Sequence, residues 1–315
     1  MSLRVVFMGT PQLAAVCLQA LLDCPTIQVA AVVSQPDRPK GRQLRLEAPP
    51  VKALALKHGL QVFQPERARD AGFIDRMRGL SPDLIAVAAY GQILPKTLLE
   101  IPRLGCLNVH TSLLPRYRGA APIQWAILND DRETGVTIMK MDAGLDTGDI
   151  LSESRTPIRD EDDAQTLHDR LAEMGAQLLI QTIPPYAEGK LAPRPQPEGA
   201  SYARKIVKED GRLDWTRPAR ELWNKVRGLV PWPGCYTTLP NADILRIWRT
   251  EVVPADGLPG QIASADKNGI LVGTGRDSLR VTEVQRQGSR RMTTAEFLTG
   301  CPLQPGQQLG RGDST

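Results

Sequence analysis

The chain of 315 residues is 41% hydrophobic and 23% charged, which is typical of a globular protein of about two domains and excludes a disordered, collagen-like or coiled-coil chain. No apolar run approaches the ~20 residues that span a bilayer, and no basic-then-apolar leader opens the sequence, so we expect a cytoplasmic protein without a membrane partner. Its five cysteines are scattered and form no CxxC pair, which predicts reduced thiols and no metal site.

The net charge of +4 is distributed unevenly along the chain. Residues 1–190 carry 21 Lys and Arg against 22 Asp and Glu, whereas residues 191–315 carry 18 against 13. A near-neutral N-terminal part and a basic C-terminal part favour a catalytic domain joined to a domain that contacts a polyanion. A solvated basic surface without a partner gives the same count and stays an alternative.

The first half of the sequence alternates predicted strands with helices. Strands are predicted at residues 3–7, 29–33, 84–88, 104–110 and 135–141, and helices after Pro11 and at residues 51–57 and 164–183. This order predicts an α/β fold with a doubly wound parallel sheet, which is a Rossmann-like arrangement.

Five prolines then fall within fourteen positions, together with two glycines: Pro184, Pro185, Pro193, Pro195, Pro197, Gly189 and Gly199. They indicate a stiff, exposed linker and therefore a domain boundary. We expect a catalytic domain over residues 1–188, a linker over 189–204, a small antiparallel β-barrel domain with one helix near residues 219–226 over 205–306, and a frayed tail over 307–315.

The strongest chemical signal lies at the end of the fourth predicted strand. Asn108 and His110 are two positions apart, so their side chains point to the same side of that strand. Ligands bind at the carboxyl edge of open parallel sheets, and the chain has only three histidines. We therefore interpret the pair as catalytic, with a satisfied polar pair capping the strand as the alternative.

A glycine-flanked acid follows the fifth predicted strand, at Gly144-Leu145-Asp146-Thr147-Gly148. Glycines on both sides let the backbone turn sharply and direct a carboxylate inward. The segment is expected at the same carboxyl edge, where an Asp beside His110 would orient it and act with it in proton transfer.

These motifs together resemble the enzymes that transfer formyl groups from 10-formyltetrahydrofolate. The resemblance is carried by Asn108-x-His110, by Ser112-Leu113-Leu114-Pro115 with Arg118-Gly119, and by the Gly144–Gly148 motif. It narrows to the branch of that family that formylates initiator methionyl-tRNA through Gly9-Thr10-Pro11, the loop at residues 35–42, Ala121-Pro122-Ile123-Gln124 and the appended β domain. Gly9-Thr10-Pro11 by itself indicates only a tight strand-to-helix turn, since the GxGxxG run of a dinucleotide site is missing.

The resemblance implies a catalytic set and a folate site. The catalytic set is Asn108, His110 and Asp146, with amide and imidazole N–H groups donating to an oxyanion and Asp146 orienting His110 or accepting the amine proton. The implied folate site comprises Ser112, Leu113, Leu114, Pro115, Ala89, Tyr90, Gly91, Gln92, Ile93, Leu94 and Asp142. The family also implies 10-formyltetrahydrofolate as co-substrate and an OB-like C-terminal domain on the tRNA. We further expect a monomer, and the chemistry requires no metal.

A basic segment suggests how the tRNA is contacted. Residues 36–52 carry five basic groups, Arg38, Lys40, Arg42, Arg45 and Lys52, against two acids. We interpret the segment as an exposed basic loop on the acceptor end of the tRNA, with a plain surface loop as the alternative. Phosphate contacts are expected from the C-terminal domain as well, at Arg204, Lys205, Lys208, Arg212, Lys225 and Arg227, whereas most of its tryptophans are expected in the core.

Three other functions fit the sequence less well than the formylation of methionyl-tRNA. The same chemistry on a sugar nucleotide or glycinamide ribonucleotide needs neither the basic loop nor a basic domain. A non-enzymatic RNA-binding protein would not need Asn108, His110 and Asp146 at one strand edge. A nicotinamide oxidoreductase is disfavoured by the broken glycine pattern.

Overall fold

The computed structural model describes residues 2–40 and 45–310. Within them, no helix combines the length and apolarity that a membrane crossing requires. The helices are α1 (Gln12–Leu22), α2 (Pro50–Lys57), α3 (Ala71–Leu80), α4 (Lys96–Leu99), α5 (Pro122–Leu128), α6 (Ala164–Ala187), α7 (Ala219–Gly228) and α8 (Thr294–Gly300), with a 3₁₀ turn at Lys208–Gly211.

Two compact units share the chain. The first takes in the described residues up to Pro122 together with Glu133–Pro157 and His168–Ala203. The second takes in Ile123–Arg132, Ile158–Leu167 and the described residues from Arg204 onward. Two short segments that the sequence places in the first domain therefore belong to the second unit.

The first unit is built on a seven-stranded sheet in the order β10-β9-β7-β6-β1-β2-β5. The strands of this unit are β1 (Leu3–Gly9), β2 (Ile27–Val33), β3 (Arg38–Lys40), β4 (Arg45–Glu47), β5 (Val62–Phe63), β6 (Leu84–Ala88), β7 (Cys106–His110), β8 (Arg118–Gly119), β9 (Glu133–Lys140), β10 (Ile150–Pro157) and β11 (Tyr202–Ala203). Central β1 and β6 consist mainly of apolar residues and are largely buried, as expected for strands covered on both faces. The α/β class with a mainly parallel sheet is thus confirmed.

The prediction of a parallel sheet is wrong for the strands at one edge. β9 runs antiparallel to β7, with His110 opposite Thr137 and Leu107 opposite Lys140, and β10 runs antiparallel to β9. The chain therefore leaves β9 beside the beginning of β7 and not at its carboxyl end.

Two segments expected to be irregular contain regular structure. Residues 38–40 and 45–47 of the expected basic loop pair as an antiparallel hairpin, β3 with β4, while Arg42 lies outside the described residues. Helix α6 continues through Pro184 and Pro185 to Ala187, so these two prolines belong to its last turns and not to the linker. Beyond it, Arg194 pairs with Ile150 and β11 pairs with β8.

The second unit carries an antiparallel sheet, which confirms the predicted C-terminal β domain. Its strands are β12 (Cys235–Thr238), β13 (Ile244–Val253), β14 (Ile262–Asp266), β15 (Gly269–Gly273), β16 (Ser278–Arg286) and β17 (Met292–Thr293). They follow the order β12-β13-β16-β15-β14, and β17 also pairs with β16. Among the tryptophans of this unit, Trp215 is in the core, whereas Trp232 is 51% exposed.

Helix α6 lies directly against strand β7, which carries Asn108 and His110. A Cβ atom at Gly175 of the helix would lie 2.7 Å from a methyl carbon of Val109. The absence of a side chain at Gly175 therefore sets how closely the helix approaches the strand, and Val109 is stiff because it branches at Cβ.

We expect Gly175→Ala to lower the free energy of unfolding by about 1–3 kcal/mol, because the added methyl group overpacks this contact. The matched control is Gly79→Ala in α3, where an added Cβ has nothing within 4 Å and alanine is the better helix former. Urea unfolding of both variants measures the difference. Equal stabilities would show that the α6–β7 contact does not depend on the missing side chain.

Candidate active site

A cavity of about 500 Å³ opens in the first unit at the end of β7. Apolar side chains from α1, β6, β9 and the position just after β9 contribute to its lining, namely Leu13, Val87, Met139 and Met141. Two loops complete it, one at residues 89–94 and one at residues 142–146. The sequence did not reveal the apolar lining residues, because nothing in their pattern separates them from the core around them.

Asn108 and His110 both line this cavity. His110 is only 6% exposed, whereas Asn108 is half-buried. Among the described residues no hydrogen bond partner of the Asn108 side chain is found, so its amide can donate to a ligand in the cavity.

The imidazole of His110 is held by a backbone carbonyl. Its Nε2 lies 3.0 Å from the carbonyl oxygen of Tyr117, which can only accept, so Nε2 carries the proton and donates. In the neutral ring Nδ1 therefore carries no proton and can act as a base, and it lies 3.7 Å from Oδ2 of Asp146. The expectation that His110 donates to an oxyanion therefore applies only to the doubly protonated ring.

Asp146 reaches His110 although its loop leaves β9 at the other end of the sheet. Its Oδ2 accepts a hydrogen bond of 2.8 Å from the backbone N–H of Gly119. Asp146 itself has a left-handed backbone with φ of 52°. The structure thus brings all three expected catalytic residues together. The carboxyl end of β9 lies beside the beginning of β7, so the loop that carries Asp146 folds back to reach His110 at the carboxyl end of β7.

Asp142, expected at the folate, also acts within its own loop. Its Oδ1 accepts hydrogen bonds from the backbone N–H of Gly144 at 3.0 Å and from the hydroxyl of Thr147 at 2.7 Å. The carboxylate closes the turn that carries Asp146, while Asp142 also lines the cavity.

The loop at residues 89–94 forms one wall of the cavity. The Tyr90 carbonyl accepts hydrogen bonds from Thr10 and Gln35, and the Gln92 amide accepts from the backbone of Ala68. Tyr90 and Leu94 are buried, and burial raises the pKa of the Tyr90 hydroxyl to about 12. Ile93, in contrast, is 83% exposed at the cavity, so this loop offers an apolar side chain as well as backbone polar groups.

The Ser112–Pro115 segment does not line the cavity. Ser112 and Leu114 are buried, and the Ser112 hydroxyl donates to the carbonyl of Arg116 at 2.6 Å. The Thr137 hydroxyl on β9 donates to the carbonyl of Ser112 at 2.7 Å and accepts from the N–H of Leu114 at 3.1 Å. In this structure the segment forms a buried turn between β7 and Tyr117.

Neither thiolate nor metal chemistry is indicated by the described residues. Burial raises the pKa of the Cys106 thiol, next to Leu107 on β7, to about 12, so it stays protonated. No group of three or more His, Cys, Asp or Glu placed to hold a metal ion is found in the described ranges.

Comparison with known proteins identifies the family. The formyl transferase model matches residues 3–183, and the model of the formyl transferase C-terminal domain matches residues 205–302. A methionyl-tRNA formyltransferase from Citrifermentans bemidjiense is 49% identical over 99% of this chain and 98% of its own. One from Pelobacter propionicus is 50% identical over 98% and 97%.

The chain belongs to the methionyl-tRNA formyltransferase family. The fold is also found in a solved structure of much lower sequence identity. The crystal structure of HypX from Aquifex aeolicus in complex with tetrahydrofolic acid matches with a TM-score of 0.62 at 17% identity, over 95% of this chain and 47% of HypX.

The Thr137 hydroxyl is expected to stabilise the turn that precedes Tyr117. Thr137→Val leaves the Leu114 N–H and the Ser112 carbonyl unpaired, so we expect the free energy of unfolding to fall by about 1–3 kcal/mol. Thr137→Ser keeps the hydroxyl and is the control. Denaturant unfolding of both variants measures the loss, and a Val variant as stable as the Ser variant would contradict this role.

Proposed function

We propose that this chain transfers the formyl group of 10-formyltetrahydrofolate to the α-amino group of initiator methionyl-tRNA, giving formylmethionyl-tRNA. The observation that carries the proposal is the convergence of Asn108, His110 and Asp146 at one cavity in a member of this family. The reaction is inferred from the known members of the family, and the roles of the residues are inferred from their positions in the cavity.

The cavity suits the folate co-substrate. Its volume of about 500 Å³ lies in the range of small-molecule sites. Leu13, Val87 and Met139 offer apolar surface to a flat heterocycle, while the backbone of residues 89–94 offers donors and acceptors. We assign residues 89–94 and Asp142 to the folate, and Ser112–Pro115 to the support of the site from behind.

Asn108 is assigned to charge stabilisation. When an amine attacks the formyl carbon, negative charge develops on the formyl oxygen. The Asn108 amide is free to donate to that oxygen, and one donor of this kind is worth about 2.7–4 kcal/mol in the transition state.

His110 and Asp146 are assigned to proton transfer. The attacking amine must lose a proton, and the folate nitrogen must leave protonated. Nδ1 of His110 is the free base of the neutral ring, since Nε2 donates to the Tyr117 carbonyl. The Asp146 carboxylate lies 3.7 Å from Nδ1 and faces the positive charge that develops when Nδ1 takes the proton, and the imidazolium can return a proton to the leaving nitrogen.

Exposed basic residues are assigned to the tRNA. Arg38, Lys205 and Lys208 are exposed, and no ion pair of Lys205 or Lys208 is found among the described residues. Lys40, Arg42 and Arg45 are assigned with Arg38 to the acceptor end, on the strength of their place in the sequence. We also propose that the second unit binds the tRNA and that the domain boundaries lie at residues 188, 204 and 306. The proposed protein is a cytoplasmic monomer.

Asp146→Asn tests the catalytic set. The amide removes the negative charge beside His110, so we expect kcat to fall by about 10²- to 10⁴-fold while folate binding, measured by titration calorimetry, stays close to the parent. Asp149→Asn, an exposed acid on the same loop, is the matched control and is expected to retain full activity. Parental kcat in Asp146→Asn would contradict the assignment.

Arg42→Ala tests the basic segment at residues 36–52. Loss of a phosphate contact is expected to lower kcat/KM for methionyl-tRNA, to leave folate binding unchanged, and to reduce the slope of log K against log salt by about one. Arg78→Ala removes an exposed charge on α3, paired with Asp75, and is the control. If both variants use methionyl-tRNA like the parent at low and moderate salt, the role of Arg42 in tRNA recognition is contradicted.

A further inference from the structure

We infer that Gln196, in the segment between α6 and β11, is a positioning residue for Asp146. The inference rests on the proposed function, because it takes Asp146 as the group that acts with His110. Gln196 lies 50 positions from Asp146 in the chain and none of the sequence motifs includes it.

The Gln196 side chain makes four hydrogen bonds within the first unit. Its Nε2 donates to the carbonyl oxygens of Asp146 and Gly148, both at 2.8 Å. Its Oε1 accepts from Nε of Arg118 at 3.1 Å and from Nη2 of Arg118 at 2.7 Å. Both amide protons and both oxygen lone pairs are therefore used, which fixes the orientation of the amide.

The loop that carries Asp146 needs such support. Asp146 has a left-handed backbone, and the four residues before it, Asp142 to Leu145, are exposed. A loop with few buried contacts has little stability of its own. Gln196 holds two of its carbonyl groups and thereby restricts where the Asp146 carboxylate can point.

The residues after Gln196 hold the other side of the site. The Ser201 hydroxyl accepts from the N–H of Tyr117 at 2.9 Å, and the Ser201 carbonyl accepts from the N–H of Arg118 at 2.8 Å. Strand β11 then pairs with β8 in parallel. The same segment thus holds Tyr117, whose carbonyl binds His110, and Gly119, whose N–H binds Asp146.

These contacts assign residues 196–203 a role beyond connecting two parts of the chain. They set the separation between Nδ1 of His110 and Oδ2 of Asp146, which is 3.7 Å. A displacement of about 1 Å in a reacting group can cost about 100-fold in rate. Loss of the Gln196 amide is therefore expected to slow catalysis without weakening substrate binding.

Gln196→Ala and Gln196→Glu test the inference. The first variant removes all four hydrogen bonds. The second retains acceptors for Arg118 but faces the carbonyls of Asp146 and Gly148 with an oxygen that cannot donate. We expect both to lower kcat by about 10- to 100-fold with unchanged KM for folate and for methionyl-tRNA, and with thermal unfolding close to that of the parent. The exposed Glu198, changed to Gln, is the control and is expected to behave like the parent.

A double-mutant cycle separates positioning from general support. If Gln196 acts through Asp146, then Gln196→Ala should lower kcat in the parent but cause no further loss in the Asp146→Asn background, measured in single turnover. An equal loss in both backgrounds, or a parental kcat in Gln196→Ala, would overturn the positioning role. A slow Asp146→Asn beside a parental Gln196→Ala overturns this inference alone. A parental Asp146→Asn overturns the role of Asp146 on which the inference rests, and only a parent protein without formyl transfer to methionyl-tRNA would overturn the proposed function.

Discussion

The candidate active site depends on the backbone of three residues, Tyr117 to Gly119. The carbonyl of Tyr117 fixes the His110 ring, and the N–H of Gly119 fixes the Asp146 carboxylate. Both residues have a positive φ, 60° and 115°, and a Cβ at Gly119 would lie 2.8 Å from the Ala203 carbonyl. The surrounding structure stabilises this strained backbone, so the spacing between His110 and Asp146 depends on a short segment of chain.

Strand β9 runs antiparallel to β7, so the chain re-enters the sheet from the end at which it left β7. The alternation of strands and helices predicted a parallel strand here. That pattern gives the order of the elements along the chain, but it does not give the direction in which each strand enters the sheet.

Residue spacing and flanking glycines predicted those parts of the candidate site that depend on neighbouring residues in the sequence. The spacing of Asn108 and His110 placed both at one cavity, and the glycines around Asp146 correctly indicated a sharp turn. Long-range partners were not predictable, since Gln196 meets Arg118 across 78 positions and nothing in a proline-rich stretch marks a glutamine for that contact. The Ser112–Pro115 turn shows a related limit, because a motif carried by resemblance can support a site from behind without lining the cavity.

Ion pairing limits what the basic charge of the C-terminal part can do. Arg204 pairs with Asp210, Arg217 with Glu221, and Arg220 with Asp130 and Asp160. Arg227 is buried, stacks on Trp223 and donates to the carbonyls of Arg159 and Asp162, so it is not the surface phosphate ligand that the sequence suggested. A paired or buried guanidinium has to give up existing partners before it can bind a phosphate. Fewer groups are therefore available to bind phosphates than the net charge implies. Exposed lysines such as Lys205 and Lys208 are better placed to bind a phosphate than the arginines around them.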